Sequence, residues 1–222
     1  MKLLNAISVF VIFTVLNTVI NGQNIVYVEK TSHVFNTDFV ERCFGALVSP
    51  RWVLLRHCIS DQTTQIKMYF NVQSNQKLNL NGRGVFTRTT LIGEIKRHEN
   101  WGLIPLSEAV NFQPITISRA VPSIPSDGFI MSLDYENGKA ARIKRLNVRA
   151  STCNRGKTDT FCAVDIGQRL RCLMHDTVGP VIFVNKLVGW SSSQNNEVCQ
   201  EGANQYQFTP LSKVHEWIKS VI

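Results

Sequence analysis

The chain has 222 residues, with 24 Lys and Arg against 16 Asp and Glu (net charge +8), 44% hydrophobic residues and six cysteines. That composition excludes a disordered tail, a multi-span membrane protein and a collagen-like fibre, and leaves room for one large all-β domain or two small ones. Only 18% of residues are charged, so the cationic excess acts locally and points to acidic partners, among which nucleic acid is one polyanion of several.

In chain order, Lys2 precedes an apolar run from Leu3 to Leu16 that turns polar at Asn17 and ends in the small residue Gly22. This is the three-part pattern of a secretory signal peptide over residues 1–22, with cleavage expected after Gly22 and secretion to the extracellular space. Asn5, Asn17 and Asn21 leave the run short of the ~20 apolar residues of a spanning helix, so no membrane span is expected. Short β-type runs follow: Ile25–Val28, Ala46–Leu55, Gln65–Val72, Gly84–Thr90, Pro114–Ile117, Gly128–Leu133, Ala141–Val148, Val181–Val184, Leu187–Ser191 and Gln205–Phe208. Broken by Gly, Asn, Asp and Pro, they predict an all-β barrel or sandwich rather than alternating β-α units. The segment Ser118–Ser126, with two prolines, reads as a crossing between halves. Only the end reads as a helix, where Leu211, Val214, Trp217, Ile218 and Val221 keep i, i+3, i+4 spacing.

Export makes Cys43, Cys58, Cys153, Cys162, Cys172 and Cys199 an even set in an oxidising compartment, so three disulfides are expected, with connectivity open. There is no C-x-x-C pair, and His57 beside Cys58 lacks a second ligand pair. His33, His98, His175 and His215 are scattered, so neither metal nor cofactor is expected. No N-x-S/T glycosylation acceptor follows Gly22.

The run Cys43-Phe44-Gly45-Ala46-Leu47-Val48 through Trp52-Val53-Leu54-Leu55-Arg56-His57-Cys58 resembles the first signature of trypsin-like serine proteases, a C-G-G-S-L-I strand leading to A-H-C. Asp176-Thr177-Val178-Gly179-Pro180-Val181 is similar to the family's D-S-G-G-P-L, and Glu99-Asn100-Trp101-Gly102-Leu103-Ile104-Pro105-Leu106 to N-D-I-A-L-L-K-L. The stretch from Tyr206 to Ile218 resembles the family's closing strand and helix. The resemblance implies a double six-stranded antiparallel β-barrel with a C-terminal helix and a cleft between the barrels. It places the first barrel at about 23–118 and the second, with the helix, at about 119–222. It also implies the bridges Cys43–Cys58, Cys153–Cys162 and Cys172–Cys199.

The family's chemistry needs a nucleophile deprotonated by a histidine that a buried carboxylate orients and supports. His57 matches the base. Asn100 stands at the carboxylate position, with Glu99 beside it as an alternative; an amide does not stabilise an imidazolium, and this exchange in an active triad costs about 10⁴ in rate. Thr177 stands at the nucleophile position, its β-methyl restricting χ1, and Val178 replaces a glycine. The run from Cys172 to Asp176 is one residue longer than the family spacing and has no glycine to complete an oxyanion hole. The specificity-pocket floor aligns with Leu170, flanked by Arg169 and Arg171, which oppose a basic substrate side chain. Ile25-Val26-Tyr27-Val28 echoes the family's activated I-V-G-G start, but Asn24 precedes it, so no freed Ile25 amine is expected to pair with Asp176.

These defects imply a non-catalytic serine protease homologue whose triad-equivalent positions are His57, Asn100 and Thr177, with no active catalytic residue expected. The plainer alternative for His57 is packing beside a disulfide, and for Asp176 and Thr177 structural or loop roles. Non-catalytic relatives in this family commonly act as cofactors, decoys or regulators of active proteases. The expected function is therefore binding another secreted protein (a protease, inhibitor or receptor) as a regulator or cofactor of proteolysis. A second alternative is residual hydrolysis by Thr177 and His57. A third is polyanion binding, with a sulfated polysaccharide as ligand. Lys139, Arg142, Lys144, Arg145, Arg149, Arg155, Lys157, Arg169 and Arg171 form a basic stretch, of which Arg142, Lys144, Arg145 and Arg149 are the foremost candidates. No aromatic residues interleave with them, which disfavours nucleic acid.

Overall fold

The computed structural model describes residues 24–34, 37–73, 77–90, 92–136, 139–153, 160–166, 179–191 and 205–222. Two antiparallel sheets account for most of them. The first is built from β1 (Ile25–Val34), β2 (Thr37–Ser49), β3 (Trp52–Arg56), β4 (Thr63–Phe70), β5 (Phe86–Thr90), β6 (Lys96–His98) and β7 (Trp101–Pro105). Their order is β5-β4-β1-β2-β3-β7-β6. Period-two patterning explains the strands: on β4, Ile66, Met68 and Phe70 are buried while Gln65 and Lys67 face water. On β1, Val26 and Val28 serve one core cluster and Ile25 and Tyr27 another, so the strand is covered on both faces.

The second sheet contains β8 (Thr116–Ile117), β9 (Asp127–Glu136), β10 (Lys139–Ser151), β11 (Phe161–Asp165), β12 (Pro180–Phe183), β13 (Lys186–Ser191) and β14 (Gln205–Pro210). The order is β12-β9-β10-β11-β14-β13-β8, and β12 also pairs with β13. That pairing closes β9 to β14 into a ring, which removes their exposed edges; β8 attaches outside it, parallel to β13. A 3₁₀ turn at Leu211–Lys213 leads into the helix α1 (His215–Val221), which buries His215 and Ile218. The fold is the expected trypsin-like pair of barrel-like sheets with one short C-terminal helix. No helix among the described residues is long and apolar enough to cross a membrane.

Three apolar clusters organise the interior. One lies within the first sheet around Val26, Leu47, Val53, Met68 and Phe70. Another lies within the second around Ile130, Val148, Phe161 and Phe208. The largest joins the two sheets: Tyr27, Phe44, Leu54 and Trp101 from the first meet Phe129, Met131, Ile182 and Trp190 from the second, with Leu211, Val214 and Ile218 closing over them.

Local expectations are corrected in four places. The run Ala46–Leu55 is two strands, because Pro50 and Arg51 make a turn between β2 and β3. The strand expected at Ile25–Val28 runs on to Val34 as β1, paired from Ile25↔Ala46 to Val34↔Thr37 with Ile25 buried. Val184 leaves the predicted strand for a turn. β2 starts at Thr37, and β6, β7 and β11 were not among the predicted strands. Two disulfides are present among the described residues, Cys43–Cys58 and Cys153–Cys162, with Cα atoms 6.3 and 5.2 Å apart. Cys172 and Cys199 lie outside the described residues, as does the expected signal segment.

Candidate functional site

β3 and β7 run antiparallel with Arg56 opposite Trp101, so the residues just past this pair, His57 and Asn100, meet at one end of the ladder. The backbone N–H of His57 donates to the Asn100 carbonyl at 2.8 Å. Cys58 ties the same corner to Cys43 on β2. Asn100 belongs to the two-residue turn between β6 and β7, in which Glu99 takes φ 49°, and His57 itself takes φ 54°. Both lie in the left-handed region that side-chain-bearing residues seldom adopt, a feature that concentrates at constrained sites.

The sequence reading therefore brings together two of its three triad-equivalent positions, through backbone. Their side chains are not joined: the Asn100 side chain is exposed, and no side-chain hydrogen bond links it to His57 among the described residues. Thr177, Asp176, Val178 and Leu170 lie outside the described residues, as do Arg169 and Arg171. Gly179 donates its N–H to Ser191 Oγ at 2.8 Å, while Ser191 N–H donates back to its carbonyl at 2.9 Å. An added Cβ at Gly179 would sit 2.9 Å from the Met131 carbonyl, so glycine permits this approach to β9.

The residue beside His57 was not singled out from sequence. The Arg56 guanidinium lies 5.2 Å from the centre of the Trp101 ring, which meets Trp190 of the second sheet edge-on at 5.7 Å. Arg56 Nε and Nη1 are buried without a hydrogen-bond partner among the described residues. Burial brings its pKa down to about 10, with the Glu99 carboxylate opposing the shift. Burial first, and the Arg56 charge second, hold the His57 imidazole below its ordinary value. The arrangement thus favours a neutral imidazole, whereas base catalysis needs one that is stabilised when it becomes charged.

The basic candidates lie on β10 and separate in character. Arg149 is clamped by Asp127, its Nε and Nη2 donating to the two carboxylate oxygens at 2.6 and 3.1 Å, which neutralises it. Arg145 lays its guanidinium 3.9 Å over the Phe129 ring, an aromatic contact supplied by the neighbouring strand rather than by sequence neighbours. Arg142 is exposed and forms an isolated antiparallel bridge with Lys77, so a first-sheet loop brings an exposed cation beside β10. Lys144 is half-buried. Arg155 and Lys157 lie outside the described residues. A separate cavity of about 300 Å³ is lined by residues including Val48, Ile115, His215 and Lys219. Beside it Arg119 Nε donates to His215 Nδ1 at 3.0 Å. No group of three or more potential metal ligands occurs among the described residues.

With this geometry in hand, the trypsin family profile matches residues 20–218. The chain belongs to the trypsin family. Among solved structures, the scabies mite inactivated protease paralogue S-I1 is similar at 17% identity, with 90% of this chain and 94% of that chain covered and a TM-score of 0.65. Human heparin binding protein is similar at 15% identity, with 90% and 91% covered and a TM-score of 0.62. At these identities the likeness concerns the trypsin-like fold. No curated protein sequence matches the chain significantly.

Proposed function

We propose that this trypsin-family chain is a secreted, non-catalytic homologue that acts by binding another secreted protein, as a regulator or cofactor of proteolysis. The observation that carries the reading is the setting of His57. Its neighbour across the ladder end is Asn100, which carries no charge, and its neighbour in sequence is the half-buried cation of Arg56. A proton taken from a nucleophile would create an imidazolium with a cation beside it and, among the described residues, no carboxylate hydrogen-bonded to it. Thr177 in place of serine adds to this reading, and so does the scabies mite relative, itself called an inactivated protease. A fluorophosphonate probe directed at active serine hydrolases tests it. The purified protein is expected to remain unlabelled, whereas labelling abolished by Thr177→Ala would establish a residual hydrolase and overturn the reading.

A second reading, polyanion binding, is favoured by the pairing of Lys77 with Arg142 across the two sheets and by the heparin-binding relative. Sulfated polysaccharide is the ligand chemistry this patch fits. Arg149 drops out of the candidate set because Asp127 compensates it. The paired change Lys77→Glu with Arg142→Glu is expected to lower the salt concentration that elutes the protein from heparin, beyond the loss seen when two exposed cations elsewhere are reversed. Equal losses would remove this reading.

A further inference from the structure

The hairpin of β1 and β2 continues past the sheet that anchors it. β1 and β2 pair without interruption from Ile25↔Ala46 to Val34↔Thr37. On its other side, β2 meets β3 only between Ala46 and Ser49. The six residues Thr37–Arg42 therefore have β1 on one side and no strand partner on the other among the described residues. Alternate residues of such an edge turn their N–H and C=O groups outward, which makes it a template for another strand. Two large apolar side chains sit on this edge: Phe39 is 52% exposed and Val40 46%.

We propose that the free edge of β2 is a self-association surface, on which a second copy of this chain adds its own Thr37–Arg42 edge antiparallel about a two-fold axis through Val40. Charge complementarity selects this occupant. Pairing about Val40 sets Asp38 opposite Arg42 of the second copy, Val40 opposite Val40, and Arg42 opposite Asp38. Within one copy, the register already places Glu29 beside Arg42 and His33 beside Asp38 on this same face. Arg42 Nε contacts Glu29 at 3.4 Å, and His33 Nδ1 contacts Asp38 at 2.8 Å. Joining two edges then produces the row Glu29, Arg42, Asp38, His33 across four strands, with acidic and basic groups alternating, and the two-fold repeats it on the far side of the Val40 pair. Opposite charges facing each other across strands stabilise a ladder, and like charges oppose it. On the other face Phe39 comes opposite Glu41, whose carboxylate is held by Lys30. An isologous contact of this kind closes at two copies and does not propagate. This inference is independent of the reading of the triad-equivalent positions.

The competing account is that Asp38, Glu41 and Arg42 blunt the edge, as charged residues do on exposed strands. Sedimentation velocity over a wide concentration range separates the two. The wild-type protein is expected to show a reversible monomer–dimer equilibrium. Asp38→Arg alone and Arg42→Asp alone are each expected to weaken it about tenfold, because every opposite-charge pair becomes a like-charge pair. An equimolar mixture of the two variants is expected to associate again, as the all-positive edge meets the all-negative one; a variant that merely failed to fold would not regain association on mixing. A wild type monomeric throughout, or a mixture that stays monomeric while the wild type dimerises, overturns the proposal.

Discussion

An arginine beside an imidazole works against the proton the imidazole would have to accept. Arg56 does this while bearing two buried donors without hydrogen-bond partners among the described residues, its burial offset by the Trp101 ring and the Glu99 charge. The magnitudes favour removing it. Leaving a buried donor unpaired costs about 1–3 kcal/mol, whereas a cation stacked on an aromatic ring contributes about 0.5–2 kcal/mol. Arg56→Met, which fills a similar volume without charge, is therefore expected to leave the urea midpoint unchanged or raise it. The same substitution should raise the His57 pKa, seen in the pH titration of its ring proton by NMR, though not fully to the ordinary value, because burial is the larger cause. The consequence for stability has a definite sign. With its folded pKa below the unfolded value of ~6.5, His57 binds a proton more readily in the unfolded chain. Stability is thus lost as pH falls through that range, and the loss should shrink in Arg56→Met.

At the scale of elements, the turn between β12 and β13 places Val184 at φ 46° and Asn185 at φ 60°, with Val184 73% exposed. Two consecutive left-handed residues are what a two-residue hairpin needs, and asparagine or glycine supplies them at lower cost than a β-branched residue. Val184→Asn removes no buried surface and is expected to stabilise the protein by about 1 kcal/mol, read as a higher urea midpoint at unchanged slope. The same residue shows where sequence reading reached its limit. Val184 looks like strand by composition, and only the chain reversal at Asn185 makes it a turn. Gln65–Val72 was legible because a covered face imposes period two on Gln65 to Met68, and Gly128–Leu133 because a short, mostly apolar run buried on both faces reads as an inner strand. The Thr37–Arg42 stretch was not, because it leaves the barrel and is solvated on both faces. At the site, the approach of His57 to Asn100 was legible from motif order, since the two flank the paired ends of β3 and β7. The Arg56 stack on Trp101 and the approach of Lys77 to Arg142 were not, because neither pair occupies triad-equivalent positions and each contact depends on how the folded strands and loops set their side chains or backbone.

At the scale of the whole molecule, the two sheets share their largest apolar cluster in addition to the one each holds within itself. Phe44 shows how the seam is built. It lies on β2, is 1% exposed, meets Tyr27 edge-on at 6.2 Å, and packs where Gly179 leads into β12 of the second sheet. Removing such a ring exposes groups of both sheets to one cavity, and Phe→Ala in a core costs about 3–5 kcal/mol. If the seam couples the barrels, they unfold together. Far-ultraviolet circular dichroism, which reports all strands, should then follow the same denaturation curve as the fluorescence of Trp101 and Trp190, which meet at the seam. Phe44→Ala is expected to move both curves to lower denaturant by the same amount. Barrels that fold independently would behave differently: the dichroism would resolve into two transitions, and the substitution would displace only the one that carries β2.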